Sequence, residues 1–220
     1  MQALFETAFD IVYLSGVVIL GIRMLLNPNR QKQYLLFGSM AIVLGCGDAF
    51  HLVPRAVALC TNGLANHTAA LGIGKFITSI TMTVFYVLLY AVWKERYKIT
   101  GKKGLDITVW VLAFLRILLC CMPQNQWLSA QPPLSWGIAR NIPFALLGLL
   151  VIVLFRQEAK TRHDQAFRYV WLTIVLSFGF YIPVVLFADT MPAIGVLMIP
   201  KTCAYVWTIL IGYRAQQREK

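Results

Sequence analysis

A chain of 220 residues that is 59% hydrophobic carries twenty lysines and arginines and nine acids. Most of these charges avoid the apolar runs; Asp48, Arg116 and Lys201 do not. A carboxylic acid can serve as general acid or base, a histidine titrates near neutrality, and lysine or arginine can hold an anion. Asp48, His51 and Arg55 are spaced i, i+3 and i+7, which puts them on one face of a helix. Lys75, Thr78, Ser79, Met82 and Tyr86 form a second such stripe, and Lys201, Tyr205 and Thr208 a third. Three polar stripes turned inwards would line a polar pocket. The alternative is a set of buried ion pairs, Asp48 with Lys201 or Arg116, that fixes helix packing. In the pocket reading the candidate catalytic residues are Asp48 and His51. The candidate substrate-binding residues are Lys75, Ser79, Tyr86, Arg116, Lys201 and Tyr205. His51, close to an interface, also suits a solvated histidine.

The elements that must position these groups are apolar runs at about 7–26, 34–53, 73–93, 105–122, 138–155, 168–188 and 193–213. Each is long enough to cross a bilayer core as a helix. The expectation is a single all-α domain over 1–220, a polytopic bundle of seven transmembrane helices. Charge between the runs gives the orientation. Fifteen of the twenty bases fall in alternate gaps and the tail: Arg23, Arg30, Lys32; Lys94, Arg96, Lys98, Lys102, Lys103; Arg156, Lys160, Arg162, Arg168; Arg214, Arg218, Lys220. The other gaps are nearly bare, with no charge in 123–137 and only Asp189 in 189–192. The positive-inside bias then predicts the N-terminus outside, the C-terminus in the cytoplasm, and a plasma-membrane location. Trp93, Tyr97, Trp127, Trp136 and Trp171 fall near the predicted interfaces, where amphipathic rings are favoured. The first run lacks a basic leader and carries Glu6 and Asp10, so it reads as a span and not a cleaved signal.

Counted from the outer ends of their helices, Lys201 lies roughly 12 Å deep and Asp48 roughly 8 Å deep. Arg116 falls near the middle. An ionisable group there costs at least about 2.5–3.5 kcal/mol, so each needs a partner or water. The basic residues outside the cytoplasmic set (Arg55, Lys75, Arg116, Arg140 and Lys201) and the acids Glu6, Asp10, Asp48 and Asp189 all belong to the outer half or the middle. A pocket built from them is expected to open outwards. Pro143, Pro183 and Pro200 fall inside the fifth, sixth and seventh helices, as kinks or as liners of a cavity. GKFITSITMTVFY and PKTCAYVWTILIGY suggest a weak repeat of three helices on each side of the fourth.

Several classes are excluded or left without a signature. The net charge of +11 is written between spans, as topology, and no nucleic-acid partner is expected. Cys46, Cys60, Cys120, Cys121 and Cys203 form no CxxC pair and have no histidine at metal spacing, so no metal site is expected. Cys60 and Cys121 could both reach the outer surface, where a disulfide could form, but small packed thiols are the simpler reading. A lysine in the seventh helix raises a Schiff-base cofactor, yet Asp48 is the one deep acid and the third helix offers none; no cofactor is expected. Asn66-His67-Thr68 matches a glycosylation sequon in an outer loop.

The segment LGCGDAFHLVPR followed by LGIGKFITSITMTVFY resembles the YhhN-type lysoplasmalogenases. Gly47 and Asp48 match that family's Gly-Asp pair. Leu52, Pro54 and Arg55 match the residues after that pair in some members, and Gly74, Phe76 and Ser79 match the start of the next helix. The resemblance covers about fifty residues. It implies hydrolysis of the vinyl-ether bond of a lysoplasmalogen, with Asp48 as acid or base and Lys201 or Arg116 on the substrate phosphate. The chain departs from the family at Ile80, where a histidine is usual, and at Ser177-Phe178, where a Ser-Asp pair is usual. Seven helices are expected here against eight in the family. The expected partners are membrane lipids and an amphiphilic or anionic small molecule. A solute transporter and a seven-helix sensor are the competing readings.

Overall fold

A computed structural model describes residues 2–61, 63–188 and 190–219; Asp189 and Lys220, both read above, lie outside the described residues. The helices are α1 (Gln2–Leu26), α2 (Lys32–Cys60), α3 (Thr68–Arg96), α4 (Lys103–Cys121), α5 (Leu134–Thr161), α6 (Val170–Phe187) and α7 (Met198–Arg218). Among the described residues these seven spans are long and apolar enough to cross a membrane, which makes the chain compatible with a multi-pass membrane protein. Their outward faces carry large apolar side chains, such as Phe5, Trp110, Phe114 and Leu149, as a lipid-facing surface requires.

The helices run past the apolar stretches that announced them. Hydropathy marks the part immersed in hydrocarbon, while backbone hydrogen bonding continues through polar residues into the head-group zone. Thus α2 continues beyond Pro54 to Cys60, and α5 extends from Leu134 to Thr161. The sixth helix, Val170–Phe187, stays inside its run, and the seventh starts late. Pro192–Leu197 forms a 3-10 turn, and α7 begins only at Met198. Pro200 therefore sits in its first turn, where a missing N–H leaves no bond broken, and it is not the mid-helix kink expected from the sequence. Pro143 and Pro183 do lie inside their helices.

Neighbours in sequence are neighbours in space from α1 through α7, and α1 packs against α7 to close the ring. Contacts of α3 with α5 and of α2 with α7 fill the interior. The α2–α3 seam is tight because it is lined by glycine. A Cβ on Gly74 would stand 2.3 Å from the Phe50 carbonyl oxygen and 2.7 Å from His51 Cα. Beside it, Thr78 Oγ1 donates to the Gly47 carbonyl oxygen at 3.1 Å. Lys75 and Lys201, paired by the suggested repeat, stand in different surroundings, the first exposed and the second buried. All five cysteines are free thiols.

At the end that holds Arg96, three segments are tied by one guanidinium. Arg96 Nε and Nη2 donate to the two oxygens of Asp164 in the α5–α6 loop, at 2.9 and 3.0 Å. Its Nη1 donates to Glu219 Oε2, after α7, at 2.6 Å. The Tyr34 hydroxyl of α2 donates to the same Glu219 oxygen, and the guanidinium lies over Phe167 at 4.6 Å. Burial alone would raise both carboxyls, but the Arg96 bonds outweigh it and hold both below their ordinary range of 3.8 for Asp164 and 4.5 for Glu219. Groups depressed in this way add stability above their unfolded pKa and lose it as pH falls through the folded one. The thermal unfolding midpoint in neutral detergent should therefore be flat near neutrality and fall below about pH 4. Asp164→Asn should lower the midpoint at pH 7 and flatten the acid limb; an unchanged acid limb would show that other carboxylates govern it.

Candidate functional site

The helix stripes meet in the bundle interior, where every one of the seven helices contributes a side chain. Asp48 of α2 is buried, and its Oδ2 accepts a hydrogen bond of 2.7 Å from the Tyr13 hydroxyl of α1. Lys201 of α7 lies within electrostatic reach of Asp48. Its ammonium stands 5.0 Å from the centre of the Tyr181 ring on α6 and 5.3 Å from that of Tyr205 on α7. Tyr181 in turn donates to Asn141 Oδ1 of α5 at 3.2 Å. Arg116 of α4 donates to the same Asn141 oxygen at 3.1 Å and to the Ser79 carbonyl oxygen of α3 at 3.4 Å. Its guanidinium lies 3.6 Å from the centre of the Phe144 ring, a contact favoured by the ring quadrupole. One connected path thus runs from Tyr13 and Asp48 through Lys201, Tyr181 and Asn141 to Arg116.

Charge does not balance along this path. Two cations face one carboxylate, and among the described residues neither Lys201 nor Arg116 forms a direct ion pair. The expected structural pairing of Asp48 with Lys201 or Arg116 is therefore not made at contact distance. Aromatic faces and neutral oxygens stabilise the two cations instead. Next to them Tyr86 meets Phe144 edge to face and both pack at a tilt against Phe178, with ring centres 5.0 to 5.7 Å apart. The hydroxyls of Tyr86 and Ser177 are enclosed here with no hydrogen bond of good geometry, although each lies close to the other and to Tyr205. Buried hydroxyls are nearly always bonded, and the Tyr86, Ser177 and Tyr205 hydroxyls are close enough to serve one another.

The expected site residues thus divide. Asp48, Tyr86, Arg116, Lys201 and Tyr205 come together in the interior. Thr208 is buried too but turns away, donating to Thr173 Oγ1 at 2.7 Å. His51 stands half-buried nearer the bare-loop end, facing Lys75, Arg55 and Lys201. Its Nδ1 is enclosed without a hydrogen bond, which departs from the solvated histidine of the sequence reading. Arg55 is taken by Glu6 at 3.0 Å. Lys75 is exposed, and the Ser79 hydroxyl turns back to its own helix, onto the Lys75 carbonyl oxygen at 2.8 Å; neither side chain joins the cluster. Nor is the cluster open in this state: Arg116 is 2% exposed and Lys201 8%. The stripes expected to line an open mouth instead close on one another. An open surface basin of about 570 Å³ lies at the Arg96 end of the molecule.

Tyr13, Asn141 and Tyr181 complete the site and were not singled out in the sequence; Ser177, named there only as a departure from the YhhN-type Ser-Asp pair, joins them. Each is a neutral polar residue in an apolar run, the signal to which a search for charge is blind. The bare α4–α5 loop closes over the bundle through Arg140, which donates to Asn125 Oδ1 at 2.8 Å and lies 4.2 Å over Trp127.

No protein-family model, curated protein or solved structure matches this chain.

Proposed function

We propose that this is an integral membrane protein whose intramembrane cluster binds the anionic head of a small amphiphile. In this reading the N-terminus is outside, the C-terminus is cytoplasmic, and the location is the plasma membrane. The observation that carries it is the excess of buried cation: Lys201 and Arg116 against Asp48 alone, beside the clustered hydroxyls of Tyr86, Ser177 and Tyr205. An anion would balance the charge and accept from the Tyr86 and Ser177 hydroxyls. The rings of Phe144, Phe178 and Tyr205 would flank an apolar chain. A lysophospholipid has both parts. Resemblance to the YhhN-type lysoplasmalogenases extends the proposal to chemistry: Asp48, oriented by Tyr13, would protonate the vinyl ether as general acid, and water would complete the hydrolysis to an aldehyde and a glycerophospho-alcohol. His51, three residues on from Asp48 along α2, is a candidate base for that water.

The test is aldehyde release from lysoplasmalogen by the purified protein, with Asp48→Asn alongside and lysophospholipid binding measured on both. Turnover by the wild type and none by the variant, with binding kept, supports the hydrolase. Binding without turnover in either leaves a lipid-binding protein. Absence of both from well-folded protein refutes the reading. A second reading, a small-solute transporter, is favoured by Pro143 and Pro183, which lie two residues from Asn141 and Tyr181. Prolines inside a helix free backbone carbonyls beside the binding groups, and uptake of an anionic solute into proteoliposomes would distinguish this reading.

A further inference from the structure

The basin at the Arg96 end is remote from the intramembrane cluster and has a different chemistry. Besides Tyr97, six of its lining residues are ionisable: Arg96, Arg162, His163, Asp164, Arg218 and Glu219. Its acids are held unequally. Asp164 accepts from Arg96 at both oxygens, from the Tyr97 hydroxyl at 3.2 Å, and from the backbone N–H groups of Ala166 and Phe167 at 3.0 and 3.2 Å. Its side chain is 8% exposed. Glu219 is bound through Oε2 alone, by Arg96 and Tyr34, and its side chain is 33% exposed. Asp164 is thus the fixed acid that orients the guanidinium, and Glu219 is the one that can leave. Around the same space Arg162 is engaged by Glu158 of its own helix at 2.9 Å, and among the described residues Arg218 makes no ion pair.

We propose that this basin is a binding site for a phosphate monoester, with Glu219 as the built-in competitor for Arg96. When Glu219 swings out, Arg96 Nη1 is freed into the basin, where Arg96 stays anchored on Asp164, Arg162 on Glu158, and Arg218 makes no ion pair among the described residues. A phosphate monoester carries about −1.5 to −2 charge at neutral pH and three acceptor oxygens, enough to meet Arg96, Arg162 and Arg218 together; a carboxylate has only two. Guanidinium is the group best matched to phosphate oxygens. The basin sits where α3, α5 and α7 leave the membrane core, so the phosphate can belong to a lipid head group of that leaflet or to a free metabolite.

The experiment uses the full chain in neutral detergent and three probes: short-chain phosphatidic acid, inorganic phosphate, and short-chain phosphatidylcholine as a zwitterionic control. Glu219→Gln keeps the size of the side chain and removes the competing charge. It should tighten phosphatidic acid binding about tenfold, the worth of one charge-assisted hydrogen bond. The double substitution Arg162→Gln, Arg218→Gln touches exposed side chains and should weaken binding about tenfold or more without unfolding the protein. Tightening by Glu219→Gln for both phosphatidic acid and inorganic phosphate would make the phosphate group the ligand whatever its source; tightening for phosphatidic acid alone would assign the site to membrane lipid. No binding of either probe to wild type and Glu219→Gln, equal binding of phosphatidylcholine, or indifference to the double substitution would overturn the proposal.

Discussion

Replacing Arg116 by methionine should raise the thermal unfolding temperature of the purified protein and abolish its affinity for an anionic amphiphile. The guanidinium is buried among neutral partners, so its solvation is lost without an opposite charge at contact distance. Methionine is flexible enough to occupy much of that volume. The change would leave no orphan behind: Asn141 Oδ1 keeps the Tyr181 hydroxyl, and Asn141 Nδ2 keeps the Gly137 carbonyl oxygen at 2.8 Å. Exchanging buried ionic groups for well-packed apolar ones is often neutral or stabilising by about 1–4 kcal/mol. At about 2–4 °C per kcal/mol for a chain of this size, a rise of several degrees is expected. The two readouts together separate the possibilities. A more stable protein that no longer binds means that stability is given up to hold an anion. A less stable protein would mean that Arg116 is a packing element, and the proposed site would lose one of its two cations.

The second large effect is expected at Gly74→Ala. The added Cβ would meet the Phe50 carbonyl oxygen and His51 Cα, both backbone atoms that no rotamer change can move. The α2–α3 seam would have to part by roughly an ångström, at a cost of about 1–3 kcal/mol or more. The displaced backbone belongs to the turn that carries Asp48, so the Tyr13 bond to Asp48 would be disturbed as well. A lower unfolding temperature together with weaker ligand binding is the expected pair. An unfolding temperature equal to that of the wild type would show that the seam is looser than its geometry, and that Asp48 is not positioned by it.

Much of the architecture was legible because the bilayer leaves so few choices. A run such as that around Leu146–Leu150 can satisfy its backbone in lipid only as a helix, so seven runs gave seven helices. The i, i+4 relation of Lys201 to Tyr205 likewise carried both to one buried face. Other features were hidden because they depend on tertiary packing. Lys75 and Lys201 sit in similar local sequences, yet the first is exposed and the second is enclosed beside Tyr181 and Tyr205, a difference set by how each helix packs. Neutral Asn141 and Tyr181 leave no trace in a count of charge, though they join the two cations. The Arg96 network joins residues separated by most of the chain, so no local pattern in the sequence pointed to it. The YhhN-type motif drew notice to Asp48, but Ser79 turns its hydroxyl back onto its own helix.

Distributing one site over seven helices also constrains biosynthesis. When α4 first enters the membrane, Ser79 on α3 is already present to receive Arg116, but Asn141 and Phe144 have not yet been translated. The fourth span must wait in lipid with its arginine half satisfied until α5 arrives. Asp48 has Tyr13 of α1 from the start, but Lys201 arrives only with α7. A ribosome-bound chain stopped after α4 should therefore remain with the insertion machinery, and release into the bilayer should come only once α5 has emerged.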